Sequence, residues 1–398
     1  MQQLKVAIIF HHIGPYHHAR LNAAACKLSI AGIEWSNKEN YAWGSVSDRP
    51  IYDKISLFDC INKLSCQKDI LEKRLTDALR DCLPDVLVIN GWNDFGSLIS
   101  FSAALNLEMP IVVMSDSTKQ DFKRNYLREA LKQRILSFCS SALVAGRLHK
   151  DYLMCLGFQE KLIFLGYDAV DNTHFAQGTA NARQHSQALR HHLHLPEHFF
   201  LASARFIEKK NLTRLIQAYA QYQSQAKVTP WHLVLLGDGD LKSQILTQIK
   251  HLGLDPWVHL PGFKQYDELP NYYGLAHCFI HASTTEQWGL VVNEAMASGL
   301  PVLVSNRCGC APDLVQAGHN GYTFDPYNPN QLTDLMLKIA SGTCDLTAMG
   351  QASQEIIAHW SPQTFADNLY EAVQTALSIP PPKSSFLNKF LLMILSRR

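Results

Sequence analysis

The stretch EQWGLVVNEAMASGLP, residues 286–301, is the most informative part of the sequence. Glu286 follows an apolar run that predicts a buried strand, and a helix is predicted over Val291–Ser298, just after Gly289. The next apolar run, Pro301–Ser305, predicts another strand. Strand, helix and strand in this order are typical of a parallel sheet with helices packed on its faces.

The same alternation runs through both halves of the chain and predicts an α/β fold. The further predicted strands are Leu4–Phe10, Asp85–Asn90, Pro110–Ser115, Ser141–Ala145, Lys161–Leu165, His198–Ala204, Trp231–Gly237, Trp257–Leu260 and Ala276–His281. The further predicted helices include Leu71–Cys82, Phe122–Phe138, Asn211–Gln223, Leu241–Leu252 and Gln363–Leu377. Between the two series, the polar, histidine-rich segment Gly178–Leu195 is interpreted as a linker with some helix in it.

We therefore expect two doubly wound, Rossmann-like domains in series. Residues 1–175 form the first, and a C-terminal helix over 361–378 packs back on it. Residues 176–360 form the second, and residues 379–398 form a basic, apolar tail. Ligands of such sheets lie outside the carboxyl ends of the strands, so the expected site is a cleft that the two domains face.

Composition excludes several classes of protein. The 398 residues are 47% hydrophobic and 18% charged, with a formal net charge of +1, which excludes a disordered chain and gives no bulk attraction for nucleic acid. No apolar run approaches the ~18 residues of a membrane span, and the short run in MQQLKVAIIF is interpreted as a buried strand rather than a secretory signal. The 10 cysteines are scattered, which favours reduced thiols in a cytoplasmic protein.

Two acidic residues in the opening stretch could bind a ligand. Glu286 and Glu294 are so spaced that both could reach a hydroxyl-rich molecule, while the amides near Gly289 and Leu290, at the start of a helix, could donate to phosphate oxygens. The alternative is that Glu286 complements the helix dipole and Glu294 is merely solvated.

Two basic residues follow an earlier strand of the same half. Arg205 stands directly after the predicted strand over 198–204, and Lys210 stands at the start of the next predicted helix. Two cations at the carboxyl end of a strand suit a diphosphate, whose charge must be neutralised when it departs. The alternative is an ordinary solvated basic loop.

Together these features resemble the retaining GT-B glycosyltransferases of family 4, the glycosyltransferase group 1 domain. The matching text covers about residues 198–340: SARFIEKKNLTRLIQAY, HLVLLGDGD, LPGFKQYDELPNYYGLAHCFIHAST, TEQWGLVVNEAMASGLPVLVS and NGYTFDP. The resemblance implies a nucleotide-diphosphate sugar as donor, bound mainly by the second domain, and retention of the anomeric configuration. It implies no cofactor and no metal.

The resemblance also assigns roles to residues of the second domain. Arg205 and Lys210 match the basic pair on the diphosphate, and Glu286 matches the glutamate on the transferred sugar. Gly289 and Leu290 match the loop whose amides meet phosphate or sugar, and Glu294 matches the glutamate on the ribose. The segment along the base matches Gly262 and Phe263, and the glycine turn after the preceding strand matches Gly237 and Gly239.

The first domain departs from the family pattern. The sequence FHHIGPYH, residues 10–17, stands where the family has a glycine-rich loop, without the usual pair of adjacent glycines. Gly14 allows a close approach to the donor. His17 could bind the acceptor or lie on a helix surface. Asn90 could line the acceptor side. Asp116 could orient the acceptor hydroxyl, stabilise the positive charge that develops on the sugar, or cap the next helix.

The sequence Asp238-Gly239-Asp240 has the D-x-D form that binds metal in glycosyltransferases of the other major fold. Here it lies in a glycine turn, where Asp240 is predicted to cap the following helix, so no metal site is expected.

Two basic, apolar segments raise the question of a membrane surface. The helix after Lys119 has Leu127, Leu131 and Ile135 on one face and Arg124, Arg128 and Lys132 on another, and the tail over 386–398 has Phe390, Leu391 and Ile394 flanked by Lys389, Arg397 and Arg398. Both could rest on an anionic membrane, at the inner face if the protein is cytoplasmic. The alternatives are an ordinary core face for the helix and packing on the first domain for the tail.

The implied function is transfer of a sugar to a hydroxyl of a saccharide, a lipid-linked saccharide or a small molecule, in glycan, polysaccharide or glycolipid biosynthesis. Two alternatives stay open. One is a nucleotide-sugar epimerase of the same architecture, which needs no acceptor. The other is a non-catalytic scaffold that binds sugar nucleotides.

Overall fold

A computed structural model describes residues 3–36, 49–59, 68–92, 94–121, 124–381 and 386–395, with backbone alone at 386, 387, 389 and 390. The chain divides into two compact units. The first comprises Met1–Ala169 and Ser361–Arg398, and the second comprises Val170–Trp360. The chain thus leaves the first unit six residues before the boundary placed at 175 from the sequence.

The first unit has a parallel sheet of seven strands in the order β3-β2-β1-β4-β5-β6-β7. Its strands are β1 (Lys5–Phe10), β2 (Ser29–Glu34), β3 (Asp53–Ser56), β4 (Val86–Asn90), β5 (Ile111–Ser115), β6 (Ser141–Val144) and β7 (Ile163–Leu165). The helices between them are α1 (Pro15–Ala25), α2 (Lys68–Cys82), α3 (Phe95–Asn106), α4 (Tyr126–Leu136) and α5 (Arg147–Cys155). The side chains on both faces of the central strands are buried, as expected for strands covered by helices on each side.

The second unit repeats this plan with a parallel sheet of six strands in the order β10-β9-β8-β11-β12-β13. Its strands are β8 (Phe199–Ser203), β9 (His232–Leu236), β10 (Val258–Gly262), β11 (Cys278–His281), β12 (Val302–Ser305) and β13 (Gly321–Phe324). Its helices are α6 (Asn172–Gln184), α7 (Ser186–Leu193), α8 (Leu212–Gln225), α9 (Lys242–His251), α10 (Leu269–Leu275), α11 (Leu290–Ala297), α12 (Ala311–Leu314), α13 (Pro329–Ala340) and α14 (Leu346–Ile357). The α/β fold with two Rossmann-like sheets is confirmed.

The segment interpreted as a linker is helical over most of its length. Residues 178–193 belong to α6 and α7, and α6 packs on α10 within the second unit. At Gly178 a Cβ would lie 2.6 Å from the Cβ of Pro270 in α10, so the small residue permits this close approach. Polarity was therefore a poor guide here, because α6 buries only a narrow stripe that includes Phe175 and Ala182.

Two helices close the chain, α15 (Pro362–Leu377) and α16 (Phe386–Leu395). Phe365, Leu369 and Val373 of α15 are fully buried among the strands of the first unit. In α16, Leu392 is buried in the core on the other face of that sheet, so the described part of the tail packs on the first unit. Lys389 and Phe390 lie outside the described side chains, and Arg397 and Arg398 lie outside the described residues.

The basic helix of the first unit begins later than predicted, at Tyr126, and Phe122 lies outside the described residues. Ile135 is buried, whereas Tyr126 and Leu127 are 86% and 76% exposed, so only the C-terminal end of α4 presents an ordinary core face. Across the residues that the structure describes, every helix is too short or too polar to cross a membrane.

Histidines pair at the amino edge of the second sheet. His198 Nδ1 lies 3.1 Å from His277 Nε2, and His232 Nδ1 lies 3.0 Å from His259 Nε2. Burial lowers the pKa of His277 to about 4, helped by the nearby His198, Arg190 and Arg183. Burial also lowers the pKa of His232 and of His259.

We predict that the second unit loses stability on mild acidification. Because the folded pKa of these histidines lies below the unfolded value of about 6.5, the unfolded chain binds more protons. Their contribution is complete above that value and is lost as the pH falls towards 4. Calorimetry should give a Tm about 5 °C lower at pH 5 than at pH 7.5.

This account predicts different results for a variant of a paired histidine and for a matched control variant. His277→Gln should flatten the dependence of Tm on pH, whereas the exposed His251→Gln should leave it as in the wild type. An equal Tm at pH 5 and pH 7.5 in the wild type would contradict this account.

Candidate functional site

The predicted site residues of the second unit gather where its strand order reverses. Strands β8 and β11 are neighbours in the sheet although β9 and β10 lie between them in sequence. The loop 204–211 follows β8 and the loop 282–289 follows β11, so both lie at the carboxyl edge of the sheet. Such a switch point is where open α/β sheets bind their ligands.

Glu286 is the centre of a charged cluster in these two loops. Lys210 Nζ donates to Oε2 of Glu286, and Lys209 Nζ lies 3.6 Å from Oε1. Ser283 Oγ donates to Oε2 over 3.2 Å, and His281 Nε2 lies 3.5 Å from the same oxygen. The Glu286 and Lys210 side chains are 12% and 13% exposed, so the pair is desolvated yet still reachable.

The cluster holds a carboxylate with an excess of positive charge around it. Burial raises the pKa of Glu286, but the hydrogen bond from His281 and the charges of Lys210 and Lys209 outweigh it and hold that pKa well below its usual range. Burial lowers the pKa of His281, so its ring is neutral at pH 7 and donates one N–H. One carboxylate facing two ammonium groups leaves this corner net positive, which suits an anionic ligand.

Backbone contacts fix the two loops against each other. Thr284 N–H donates to Lys209 O over 2.9 Å. The buried Asn211 side chain donates to Ala282 O at 3.0 Å and to Pro326 O at 2.9 Å. On the other side, Gly309 N–H donates to Glu286 O over 3.0 Å. The lysines therefore reach Glu286 because their backbone is tied to the loop that carries it.

Arg205 is exposed in the same loop, and a glycine turn holds that loop in place. Gly237 has φ +124°, and a Cβ there would lie 1.9 Å from Ala204 O. A Cβ on Gly239 would lie 2.7 Å from Phe206 O. The nearest atoms that a Cβ would meet at both glycines belong to the backbone beside Arg205.

Asp238, the first residue of the D-x-D sequence in this turn, binds neighbouring groups of the protein. Asp238 accepts from Lys242 Nζ at 2.7 Å and from Gly239 N–H at 2.8 Å. Helix α9 begins at Lys242 with Leu241 at the N-cap and no side-chain cap, so the predicted capping by Asp240 is wrong. Within the described ranges, no group of three or more His, Cys, Asp or Glu side chains could hold a metal ion.

Helix α11 begins beside the charged cluster. Its N-cap, Gly289, has φ +110°, and a Cβ there would lie 3.4 Å from His281 Nε2 and 3.5 Å from Glu286 Cγ. A glycine at this position thus avoids the backbone strain of a positive φ, and it avoids crowding His281 and Glu286. The first amides of a helix, here beginning with Leu290, have no partner inside the helix and attract anions.

Glu294 lies within α11 and is completely buried, so the solvated alternative for it is wrong. Tyr273 Oη donates to its Oε2 over 2.6 Å. Contact with a ribose stays a prediction. At the carboxyl end of β10, the edge strand of this sheet, Phe263 is 39% exposed, and a Cβ on Gly262 would meet no atom within 4 Å.

The first-unit predictions have mixed outcomes. Gly14 is the N-cap of α1, and its N–H donates to His17 Nδ1 over 3.2 Å, so His17 closes the helix end. Asn90 Oδ1 accepts from Tyr167 Oη at 3.0 Å. Asp116 follows β5 and is half-buried, and α4 is capped by Asn125, so the capping alternative for Asp116 is wrong.

Sequence reasoning brought out Arg205, Lys210, Glu286 and Gly289, which the structure places on neighbouring loops. It missed Lys209, His281, Ser283 and Tyr273. The signal for the first three was present, since Lys209 adjoins Lys210, while His281 ends an apolar strand and Ser283 stands two residues beyond it. Tyr273 gave no signal, because its partner Glu294 is 21 residues away.

Residues 188–356 match the family model described as Glycosyl transferases group 1. The chain is 29% identical over 203 residues to Amylovoran biosynthesis glycosyltransferase AmsK of Erwinia amylovora, a match that covers 50% of the chain and 49% of AmsK. It is 27% identical over 223 residues to Mannosylfructose-phosphate synthase of Agrobacterium fabrum, covering 53% and 48%. It is 30% identical over 155 residues to Sucrose-phosphate synthase 4 of Arabidopsis thaliana, covering 35% and 15%. The chain spans about half the length of the first two relatives and a smaller part of the third.

Solved structures resemble almost the whole chain. A glycosyltransferase from Rickettsia africae matches with a TM-score of 0.75 and 14% identity, over 95% of this chain and 99% of that one. Anabaena Alr3699/HepE, solved in complex with UDP, matches with a TM-score of 0.72 and 17% identity, over 94% and 100%. At these identities the likeness concerns the fold alone, two parallel-sheet α/β domains of the GT-B class.

Proposed function

We propose that the chain is a retaining glycosyltransferase of family 4 that transfers a sugar from a nucleotide-diphosphate sugar to a hydroxyl. The observation that carries the proposal is the Glu286 cluster. It joins a desolvated carboxylate, two ammonium groups and the first amides of a helix at the switch point of the second sheet. A sugar diphosphate presents the complementary groups, hydroxyls beside two phosphates.

The donor-side residues take distinct parts in this proposal. Arg205 and Lys210 stabilise the negative charge that develops on the departing diphosphate, a role that a divalent cation fills elsewhere. Glu286 binds hydroxyls of the transferred sugar, and the amide of Leu290 donates to phosphate. Glu294 binds the ribose, and Gly262 and Phe263 lie along the base. We propose UDP as the nucleotide, since HepE, a structural neighbour, was solved with UDP and with UDP-glucose.

We propose front-face attack, in which the acceptor oxygen approaches from the side that the diphosphate leaves. The sugar passes through an oxocarbenium-like state, and the departing phosphate takes the acceptor proton. This route needs no side chain as general base, no cofactor and no metal.

The acceptor is assigned to the first unit, near His17, Asn90 and Asp116, while Gly14 approaches the donor. It is a saccharide, a lipid-linked saccharide or a small molecule, used in glycan, polysaccharide or glycolipid biosynthesis. A cytoplasmic enzyme in peripheral contact with the inner face of the membrane is consistent with the exposed Tyr126 and Leu127 of α4.

Calorimetric titration with UDP, GDP and ADP, with and without Mg²⁺, tests the donor assignment. UDP should bind, Mg²⁺ should change its affinity less than twofold, and Arg205→Ala should weaken it at least tenfold. The exposed Lys250→Ala is the control and should bind UDP as the wild type does. If none of the nucleotides binds, the proposal fails.

Turnover separates transfer from the two alternatives. Incubation with UDP-sugars should release UDP slowly to water and faster with an acceptor. Conversion of a UDP-sugar to its epimer without release of UDP would favour the epimerase. Binding with no turnover over a broad acceptor panel would favour the scaffold.

A further inference from the structure

The contact between Lys210 and Glu286 joins two groups that the proposed donor would engage separately. Lys210 Nζ donates to Oε2 of Glu286, and Lys209 Nζ lies 3.6 Å from Oε1 of the same side chain. In the proposed function Lys210 binds phosphate, whereas Glu286 binds hydroxyls of the sugar. In the protein without a ligand, the carboxylate therefore occupies a cation that the diphosphate needs.

The backbone holds this pair together. Thr284 N–H donates to Lys209 O over 2.9 Å, and Thr284 Oγ1 donates to the same oxygen over 3.3 Å. Lys210 N–H donates to Ile207 O over 3.0 Å, at the end of a short 3₁₀ helix over Glu208–Lys210. Both loops are thus fixed, and the flexible four-carbon stem of the lysine is the part that moves when its ammonium group turns to another anion.

Burial makes the pair expensive to separate. The Glu286 and Lys210 side chains are 12% and 13% exposed, so water screens their attraction only weakly. A desolvated charge that loses its partner is costly, so without Lys210 the carboxylate needs other donors. Ser283 Oγ and His281 Nε2 stay near Oε2, and Lys209, which is 37% exposed, compensates only in part. A ligand that draws Lys210 away therefore binds better when it also brings donors to Glu286.

A nucleotide diphosphate and a sugar nucleotide differ in this respect. The terminal phosphate of a nucleotide diphosphate carries negative charge and acceptor oxygens, so it attracts Lys210 and repels Glu286. A sugar on that phosphate removes one ionisable oxygen and supplies hydroxyls. These donate to the carboxylate, and hydrogen bonds to a charged group are among the stronger ones. The sugar nucleotide thus satisfies both members of the pair, and the nucleotide diphosphate satisfies only the lysine.

We propose that Glu286 competes with the diphosphate for Lys210, and that this competition lowers the affinity for the nucleotide diphosphate relative to that for the sugar nucleotide. When the donor binds, the sugar hydroxyls take the place of the ammonium group on Glu286, and Lys210 turns to the phosphate. After transfer the hydroxyls leave with the product saccharide, Glu286 recovers Lys210, and the nucleotide diphosphate is released. The inference rests on the proposed function and deepens it, because it gives the sugar-binding carboxylate a part in product release.

Calorimetric titration of the full chain at pH 7.5 with UDP, UDP-glucose and UDP-galactose, without acceptor, tests the competition. Glu286→Gln removes the charge and nearly keeps the shape, so it should bind UDP about fivefold more tightly than the wild type. Its affinity for the two UDP-sugars should not rise in proportion, because it also loses the charged acceptor for their hydroxyls. Glu286→Ala should show the same gain for UDP, and it decides the question if Glu286→Gln does not fold.

Glu208→Gln is the matched control, because it removes the same charge from the loop that carries Lys210. The Glu208 side chain is exposed, so solvent screens its charge, and UDP affinity should change less than twofold. A gain as large as that of Glu286→Gln would indicate a general effect of loop charge and would overturn the proposal.

Combining Glu286→Gln with Lys210→Ala tests whether the carboxylate acts through this lysine. Without the ammonium group there is nothing to compete for, so removing the carboxylate should strengthen UDP binding less than it does when Lys210 is present. An equal gain in both backgrounds would mean that Glu286 merely repels the phosphate, which overturns the competition.

The result for the wild type separates this inference from the proposed function. If the wild type bound UDP and neither Glu286→Gln nor Glu286→Ala bound it more tightly, the inference would be wrong and the proposed function would stand. If the wild type and the variants bound none of UDP, GDP and ADP, the proposed function would be wrong, and the inference would fall with it.

Discussion

Replacing Lys210 by alanine should lower the rate of UDP release from a UDP-sugar by about 10²–10³-fold. Its ammonium group contacts Glu286 within the desolvated cluster, where a charge aimed at the leaving group acts with little screening. Removing it also raises the pKa of Glu286, because the charge of Lys210 helps to hold that pKa low. Single-turnover rates measure the loss, and calorimetric UDP affinity shows how much of it comes from weaker binding.

Lys242→Ala is the matched control for this variant. Lys242 also pairs with a carboxylate, Asp238, at 2.7 Å, but both side chains are about half exposed, so its loss should change the rate less than twofold. Lys210→Arg keeps the charge and should recover part of the lost rate. If the Lys210→Ala enzyme released UDP at the wild-type rate, Lys210 would have no part in stabilising the leaving group.

Replacing Gly237 by alanine should destabilise the second unit by about 3 kcal/mol. The residue has φ +124°, and the new Cβ would lie 1.9 Å from Ala204 O, a backbone atom that cannot rotate away. The loop that carries Arg205 must therefore move. We expect a Tm about 10 °C lower by calorimetry and UDP binding weakened more than tenfold.

The Gly253→Ala variant separates the effect of backbone strain from the effect of a steric clash. Gly253 also has a positive φ, +66°, but a Cβ there would meet no atom within 4 Å. That variant should lose about 1 kcal/mol and bind UDP normally. If the two variants were equally stable and equally active, the close approach at Gly237 would have no energetic meaning.

The strands that the sequence predicts are the apolar ones. Val6–Phe10 and Val302–Val304 are apolar throughout and are buried, so composition alone identifies the strands that contain them. The strand Ser29–Glu34 was missed because Gly32 and a terminal glutamate interrupt its apolar run, and Asp53–Ser56 was missed because it is a short, mostly exposed edge strand. Neither has a pattern that distinguishes it from a loop.

The missed strand also explains why the contacts of Glu34 could not be predicted. Glu34 becomes meaningful only when Ser29–Glu34 is placed beside Lys5–Phe10, because this register brings its carboxylate to His12 and Ile13. The Glu286 cluster was more accessible to sequence reasoning, since spacing alone relates Glu286 to Glu294 and Arg205 to Lys210. Lys210 and Glu286 are 76 residues apart, and their pairing depends on the adjacency of β8 and β11, which spacing cannot supply.

The return of Pro362–Leu377 to the first unit has a consequence for folding of the protein during translation. Phe365, Leu369 and Val373 fill the core of a unit whose strands are synthesised before residue 170, while Val170–Trp360 is contiguous. On the ribosome, the second unit can therefore complete its core first. The first unit must wait, with one face of its sheet covered only in part, until Pro362–Leu377 has emerged. The amino-terminal half is thus the segment for which a chaperone has most to do during translation.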